Sequence, residues 1–356
     1  MNSNGKTKIL IVDDSAIIRK LLTTILSSEP SFEVIGAAPD PYVARDMIAR
    51  QRPDVMTLDI EMPRMDGIAF LEKVMAHKPI RTIIISSLSK AGSEIAMRAF
   101  AAGAVDVIEK PSIDVKSVMQ DNGATIIQKV KNVAKANVGQ LQKNFKFKPT
   151  LQSNSQNAAL EKTTHQILAV ASSTGGTETL KQIFTRLPAD IPGTVIVQHM
   201  PPGFTKTYAE SLDKICPFKV KEAEENDTIL PGQVLIAPGN YHIRLKRIGG
   251  FYKVRLSQEE HLHGVRPAAD YLMESVAKEV GGNAIGLIVT GMGRDGAKGL
   301  LHMKEAGSFN IAQDEKSCVV FGMPKEAIQL GAIDKIVNLD NIANELIKQF
   351  QVRAVG

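Results

Sequence analysis

Two cysteines, Cys216 and Cys318, are too few for a disulfide framework or a typical structural zinc site. A reducing compartment is therefore the default. No apolar run approaches the roughly 18 residues of a membrane-crossing helix. The opening MNSNGKTKILIVDD passes from polar residues into an apolar run too short for a secretory signal core. A cytoplasmic protein is expected. One-sided charge is lacking as well. Lys and Arg number 43 against 38 Asp and Glu, and this net +5, spread over 356 residues, does not argue for nucleic acid. What remains is an ordinary globular composition, 44% hydrophobic and 23% charged, in a chain long enough for two domains.

The first 134 residues alternate between two periodicities. KILIV (8–12), FEVIGAA (32–38), VMTLD (55–59), RTIIIS (81–86) and AVDVI (104–108) read as strands. Between them lie helical patterns: Ile17, Ile18, Leu21, Leu22 and Ile25 on one side of the first, then 41–51, 67–76, 93–102 and 112–134. Near-continuous apolar strands between amphipathic helices predict a (βα)5 unit with a parallel sheet covered on both faces. Asp13, Asp14 and Asp59 then fall at strand C-terminal ends, where open α/β sheets bind ligands. Converging carboxylates need a cation, and an all-oxygen set suits Mg²⁺. Ser86 and Lys110 close strands four and five and supply a hydroxyl and an ammonium for phosphoryl oxygens. Pro111 allows a cis bond after Lys110. Singly, Asp13 or Asp14 also reads as a helix cap and Lys110 as a surface charge; their shared edge favours a site.

This half resembles the response-regulator receiver domain through IVDDS (11–15), LDIEMPRMDG (58–67), IIISS (83–87) and AVDVIEKP (104–111). The resemblance implies that Asp59 is the phosphoacceptor. It makes Asp13 and Asp14 the Mg²⁺ carboxylates, with Asp14 the direct ligand, and gives the backbone carbonyl of Glu61 to the same ion. Ser86 becomes the switch hydroxyl and Lys110 the phosphate-binding lysine. Val107 stands near the usual switch aromatic, a departure that bears on how the surface responds.

From 126 to 163 the chain is rich in Lys, Asn, Gln and Ser and reads as a linker whose first part extends the last receiver helix. The expected domains are therefore 1–125, a linker over 126–163, and 164–356.

The second half reads as a mostly parallel α/β domain with an inserted β-hairpin. Its strands are ILAVA (167–171), TVIVQ (194–198), AIGLIVT (284–290) and FNIAQ (309–313). The hairpin pairs YHIRLKR with FYKVRLS around Gly249-Gly250. Ser173, His199 and Asp295 follow three of these strands. A serine hydroxyl needs an imidazole to take its proton and an acid to orient that imidazole. Spacing alone does not choose between Ser172 and Ser173, and each residue also has a reading as a cap or turn. GxSxG and GxGxxG are both absent, which removes the usual nucleophile elbow and the dinucleotide fingerprint. His242, His261, His263 and His302 read as helical surface positions, with no third ligand at zinc spacing. Arg266 reads as a cleft-lining residue or half of a surface ion pair.

This half is similar to the catalytic domain of the CheB chemotaxis methylesterase family. VASSTGG (170–176), VIVQHMPPGFT (195–205), LIAPGNYH (235–242), GVRPAAD (264–270) and TGMGRDGAKGL (290–300) carry the resemblance. It implies Ser173 as nucleophile, His199 as general base and Asp295 as orienting acid, with Thr174 and Met292 shaping the oxyanion region. The implied activity is phosphorylation-activated protein-glutamate methylesterase and protein-glutamine glutaminase. The implied partners are a chemotaxis histidine kinase as phosphodonor and the cytoplasmic helices of methyl-accepting chemoreceptors, with no nucleic acid and no embedding in the membrane. Mg²⁺ serves receiver phosphorylation, ester hydrolysis needs no cofactor, and a monomer is expected. The alternative is a response regulator whose second domain is a different serine hydrolase or a non-catalytic binding module.

Overall fold

Strands with apolar residues on both faces must be covered on both faces, and both parallel sheets of this protein are built that way. A computed structural model describes residues 5–62, 66–87, 89–110, 123–146 and 166–354. The chain divides into two compact units, Met1–Lys146 and Phe147–Gly356.

The first unit has five parallel strands: β1 (Thr7–Val12), β2 (Phe32–Ala38), β3 (Val55–Asp59), β4 (Arg81–Ser86) and β5 (Asp106–Glu109). Their order is β2-β1-β3-β4-β5, so the winding reverses between β1 and β3. Those strands are in register, Ile11 with Thr57 and Val12 with Leu58, which sets Asp13 and Asp59 side by side. Helices α1 (Ala16–Ser27), α2 (Pro41–Gln51), α3 (Gly67–His77) and α4 (Lys90–Ala101) connect them. Ser15 caps α1 by accepting the Ile18 amide, and Ile18, Leu21, Leu22 and Ile25 are buried. Ile17, expected on the same apolar side, is half exposed.

Helix α5 (Gly123–Ala134) buries Ile126, Val130 and Val133, a spacing that forms one apolar stripe. Helix α6 (Val138–Lys146) follows. Residues 126–134, where the expected helix and the expected linker overlap, are helical, and residues 138–146, expected as linker, form α6; both belong to the first compact unit. The expected helix start at 112 and the Lys110–Pro111 bond lie outside the described residues.

The second unit has β6 (Ile167–Ser172), α7 (Gly176–Phe184), β7 (Gly193–Gln198), α8 (Phe204–Asp213), β8 (Lys219–Glu222) and β9 (Gln233–Ile236). It continues with β10 (His242–Ile248), β11 (Phe251–Ser257), α9 (Ala269–Glu279), β12 (Ala284–Ile288), α10 (Ala297–Glu305), β13 (Phe309–Gln313), α11 (Met323–Gln329), β14 (Lys335–Val337) and α12 (Leu339–Ala354). Seven strands form one parallel sheet in the order β14-β13-β12-β6-β7-β9-β8. The three strands that lead into Asp295, Ser173 and His199 are therefore consecutive neighbours at its centre: β12, β6 and β7. β10 and β11 form the separate antiparallel hairpin, whose inner face buries Ile243, Leu245, Tyr252 and Val254. β14 has no counterpart in the sequence reading: it is three residues long and only Val337 is buried.

Leu168 sits fully buried in β6, paired on both sides. Leu168→Ala should cost about 2–5 kcal/mol of stability, read as a lowered denaturant midpoint with unchanged slope.

Candidate active site and acidic cluster

Ser172 and Ser173 lie at the end of β6 but in different surroundings. Ser172 is fully buried, and its hydroxyl donates to Gln198 Oε1 at 2.5 Å. Ser173 is partly exposed. Its amide donates to Thr290 O (3.1 Å), and its carbonyl accepts from the Gly176 amide (2.7 Å) and Gln198 Nε2 (3.0 Å). Helix α7 starts three residues later, so its free N–H end faces the same sheet edge. Gly291, on the neighbouring loop, has to lack a side chain: a Cβ there would come within 2.9 Å of Ser173 Cβ.

His199 follows β7, and its Nε2 lies 2.8 Å from Asp295 Oδ2. Asp295 is buried between two helix starts. Its Oδ2 also accepts the Ala269 amide (2.6 Å) and its Oδ1 the Asp270 amide (3.0 Å), both at the beginning of α9. Burial alone would raise this carboxyl. The His199 hydrogen bond and charge and the two amides outweigh burial and hold it below the ordinary carboxylate value. It is ionised at neutral pH, and so accepts from His199 Nε2–H. Among the described residues no hydrogen bond joins Ser173 Oγ to His199. Thr174 is buried, its carbonyl accepting the Thr290 hydroxyl at 3.0 Å. Met292 is partly exposed on the loop beside Gly291.

A second His–Asp pair abuts the first, and the sequence reading missed it. His263 Nε2 lies 2.8 Å from Asp270 Oδ2, and Asp270 Oδ1 accepts the Gly299 amide at 2.8 Å. Arg294 Nε reaches His263 Nδ1 at 3.4 Å. His263, Asp270 and Asp295 bring ligand-type atoms within 4.8 Å of one another. Those atoms already serve hydrogen bonds that a cation would have to break. Asp270 closes the motif GVRPAAD, which was the available signal. His242, expected on a helix surface, opens β10 and is fully buried. Its Nε2 faces Glu260 O and its Nδ1 accepts the Ala268 amide, which fixes a neutral imidazole. Arg266 forms no ion pair among the described residues; it braces Asn240 Oδ1 and the carbonyls of Gln258 and Glu259.

In the first unit Asp13, Asp14 and Asp59 place carboxylate oxygens within 4.8 Å of one another. Asp13 and Asp59 are fully buried and Asp14 is exposed. Lys110 Nζ lies 2.6 Å from Asp59 Oδ2 and 3.6 Å from Asp13 Oδ2. Burial would lower the Lys110 ammonium, but the surrounding carboxylates outweigh it and raise its pKa. Asp59 Oδ1 accepts the Glu61 amide at 3.0 Å. Ser86 Oγ donates to Gly92 O at 3.2 Å rather than to Asp59. Val107 is buried in β5. Asp13 Oδ2 is buried without a hydrogen-bond partner, and burial plus the Asp59 charge push Asp13 up to about 6. An orphaned buried oxygen in a set of hard oxygen donors fits a divalent cation such as Mg²⁺.

A family model described as CheB methylesterase matches residues 168–346, and one described as response regulator receiver domain matches 9–120. This chain belongs to the CheB methylesterase family. A CheB relative from Bdellovibrio bacteriovorus, named protein-glutamate methylesterase/protein-glutamine glutaminase, is 59% identical over 348 residues, 98% of each chain. Another of that name from Syntrophus aciditrophicus is 49% identical over 344 residues, covering 97% of this chain and 99% of the relative. The crystal structure of the Thermotoga maritima CheB methylesterase catalytic domain is 41% identical, with a TM-score of 0.51, and covers 52% of this chain and 98% of that one. The CheB order of receiver first and methylesterase domain second is the order found here. No described helix is long and apolar enough to cross a membrane.

The raised Asp13 carboxyl sets a pH dependence. With a folded pKa of about 6 against 3.8 unfolded, its contribution to stability is complete below 3.8 and is lost as the pH rises through 6. Asp13→Asn keeps the acceptor for the Ser15 amide and removes the charge. In chelator above pH 7 this variant should melt about 2–5 °C above wild type, and the gap should close as the pH falls towards 4.

Proposed function

We propose that the protein hydrolyses γ-glutamyl methyl esters on the cytoplasmic helices of methyl-accepting chemoreceptors and deamidates receptor glutamines, under control of Asp59 phosphorylation. The observation that carries this reading is the buried, charge-holding Asp295 bonded to His199 beside a serine that is partly exposed, at the centre of the methylesterase sheet. Ser173 is the nucleophile. His199 Nδ1 takes the Ser173 proton as Oγ bonds to the ester carbonyl carbon, and Asp295 stabilises the imidazolium that results. The Met292 amide and the Thr174 region, beside the α7 N-terminus, take the developing oxyanion. The imidazolium then protonates the methoxy oxygen, the C–O bond breaks and methanol leaves. Water, deprotonated by His199, attacks the acyl-serine, and Ser173 recovers its proton as the glutamate carboxylate departs. With glutamine the same steps release ammonia. No cofactor enters this cycle.

In the receiver, Asp59 accepts a phosphoryl group from a chemotaxis histidine kinase. Asp13, Asp14 and Asp59, with the Glu61 carbonyl, would hold Mg²⁺, which neutralises phosphoryl oxygen charge during transfer. Lys110 already faces Asp59 and pairs with the added charge. Ser86 turns from Gly92 O to a phosphoryl oxygen, which changes how the start of α4 is held. The protein acts as a cytoplasmic monomer.

Methanol release from methylated receptor membranes tests this reading. Wild type should respond to a small-molecule phosphodonor with Mg²⁺. Ser173→Ala should lose on the order of 10⁶-fold in kcat and Asp295→Asn about 10⁴-fold. Asp59→Asn should keep a basal rate and lose the response. No methanol from wild type under either condition would overturn the proposal.

A further inference from the structure

β6 and β7 pair in parallel from Ile167 with Gly193 up to Ser172 with Gln198. The last backbone rung is the His199 amide on Ser172 O, at 3.2 Å. Beyond it the strands have to part, because Ser173 and His199 turn towards the sheet edge. The Gln198 side chain takes over where the ladder stops. Its amide nitrogen lies 3.0 Å from Ser173 O and 3.4 Å from His199 O, and its oxygen accepts from Ser172 Oγ at 2.5 Å.

The orientation of this amide follows from its partners. Two backbone carbonyls can only accept, so the end that faces them must be the NH₂ group. The opposite end must then be the oxygen, and among the described residues the group that bonds to it is the Ser172 hydroxyl. Gln198 and Ser172 are both buried, which limits competition from water at the Ser172 end of the amide. Space is matched too. A Cβ at Gly176 would collide with Gln198 Oε1 and come within 2.9 Å of Ser172 Cβ, so the first residue of α7 has to be glycine for the helix to sit over the pair.

We propose that Gln198 is a positioning residue for the ester reaction, and that Ser172 is its orienting partner. It rests on Ser173 and His199 being nucleophile and base. One amide bonds to the carbonyl of each, so it sets the separation of their Cα atoms directly. A misplacement on the order of 1 Å between reacting groups costs about 10²-fold in rate. Ser172 contributes by preventing the amide from turning its oxygen onto the two carbonyls. Ser172 thus has a task distinct from that of Ser173.

The test uses the full chain with two substitutions. Gln198→Met keeps the shape and removes both polar ends. Ser172→Ala leaves the amide in place but free to turn. Hydrolysis of a γ-glutamyl methyl ester peptide is measured together with the thermal midpoint, and kcat is expressed per folded protein. We expect kcat to fall about 10²-fold for Gln198→Met and about 10-fold for Ser172→Ala, with KM within about threefold of wild type. Should Gln198→Met fail to fold, Ser172→Ala decides. Wild-type kcat per folded protein, whatever the midpoint, would overturn the positioning role. An active Ser173→Ala would instead overturn the nucleophile reading beneath it.

Discussion

A carboxylate removed from water keeps its charge only if hydrogen-bond donors replace the water, and Asp295 has three of them. The amides of Ala269 and Asp270 belong to the first residues of α9, where a helix has N–H groups to spare. The third donor is His199. Because the helix supplies two of the three, the carboxylate is fixed to the start of α9 as well as to the imidazole. The site depends on this anchoring: an acid that drifted or took up a proton would no longer hold His199 in one tautomer. The second pair, His263 with Asp270, pins the same helix start and reaches the start of α10 through Gly299. Asp295 is thus wedged between two helix ends that are themselves tied together.

The receiver handles buried acid in the opposite way. Asp13 and Asp59 are equally buried, but Asp13 Oδ2 lacks a hydrogen-bond partner and Lys110 Nζ stands 3.6 Å away. That cluster is left short of positive charge, and it is the one that matches a divalent cation and a transferable phosphoryl group. Both units use the C-terminal edge of a parallel sheet. One edge holds a buried carboxylate fixed by donors, and the other has a buried carboxylate oxygen with no hydrogen-bond partner among the described residues.

Much of this was legible from apolar periodicity. β2, β3 and β4 have the bounds their apolar runs predict; β3 and β4, buried on both faces, carry an unbroken signal, and β2 at the sheet edge keeps its run although it is only partly buried. β14 was not legible, since three residues with one buried carry no period. The helix over 126–134 was legible from the apolar stripe at Ile126, Val130 and Val133, whereas α6, in a stretch rich in Lys, Asn and Gln, was read as linker. In the site, strand ends could be read but hydrogen bonds could not. Nothing local distinguishes Ser172 from Ser173; the difference arises when Gln198, 26 residues on, fills the space beside one of them. Asp270 was quoted in a motif without a role, and His263 was read as a helix-surface position, because the contacts that join them to each other and to α10 arise only in the fold. His242 went to a helix surface for the same reason: its burial comes from the start of α9, where the Ala268 amide and the Tyr271 ring meet it.

The central claim is that Ser173 carries the acyl group, and rapid acid quench followed by mass spectrometry tests it most directly. The full chain is mixed with a γ-glutamyl methyl ester peptide, quenched within the first turnover, digested and fragmented. The acyl adduct is predicted on Ser173, with Ser172 unmodified. An adduct on Ser172, or methanol formed with no adduct on any residue, would contradict the account.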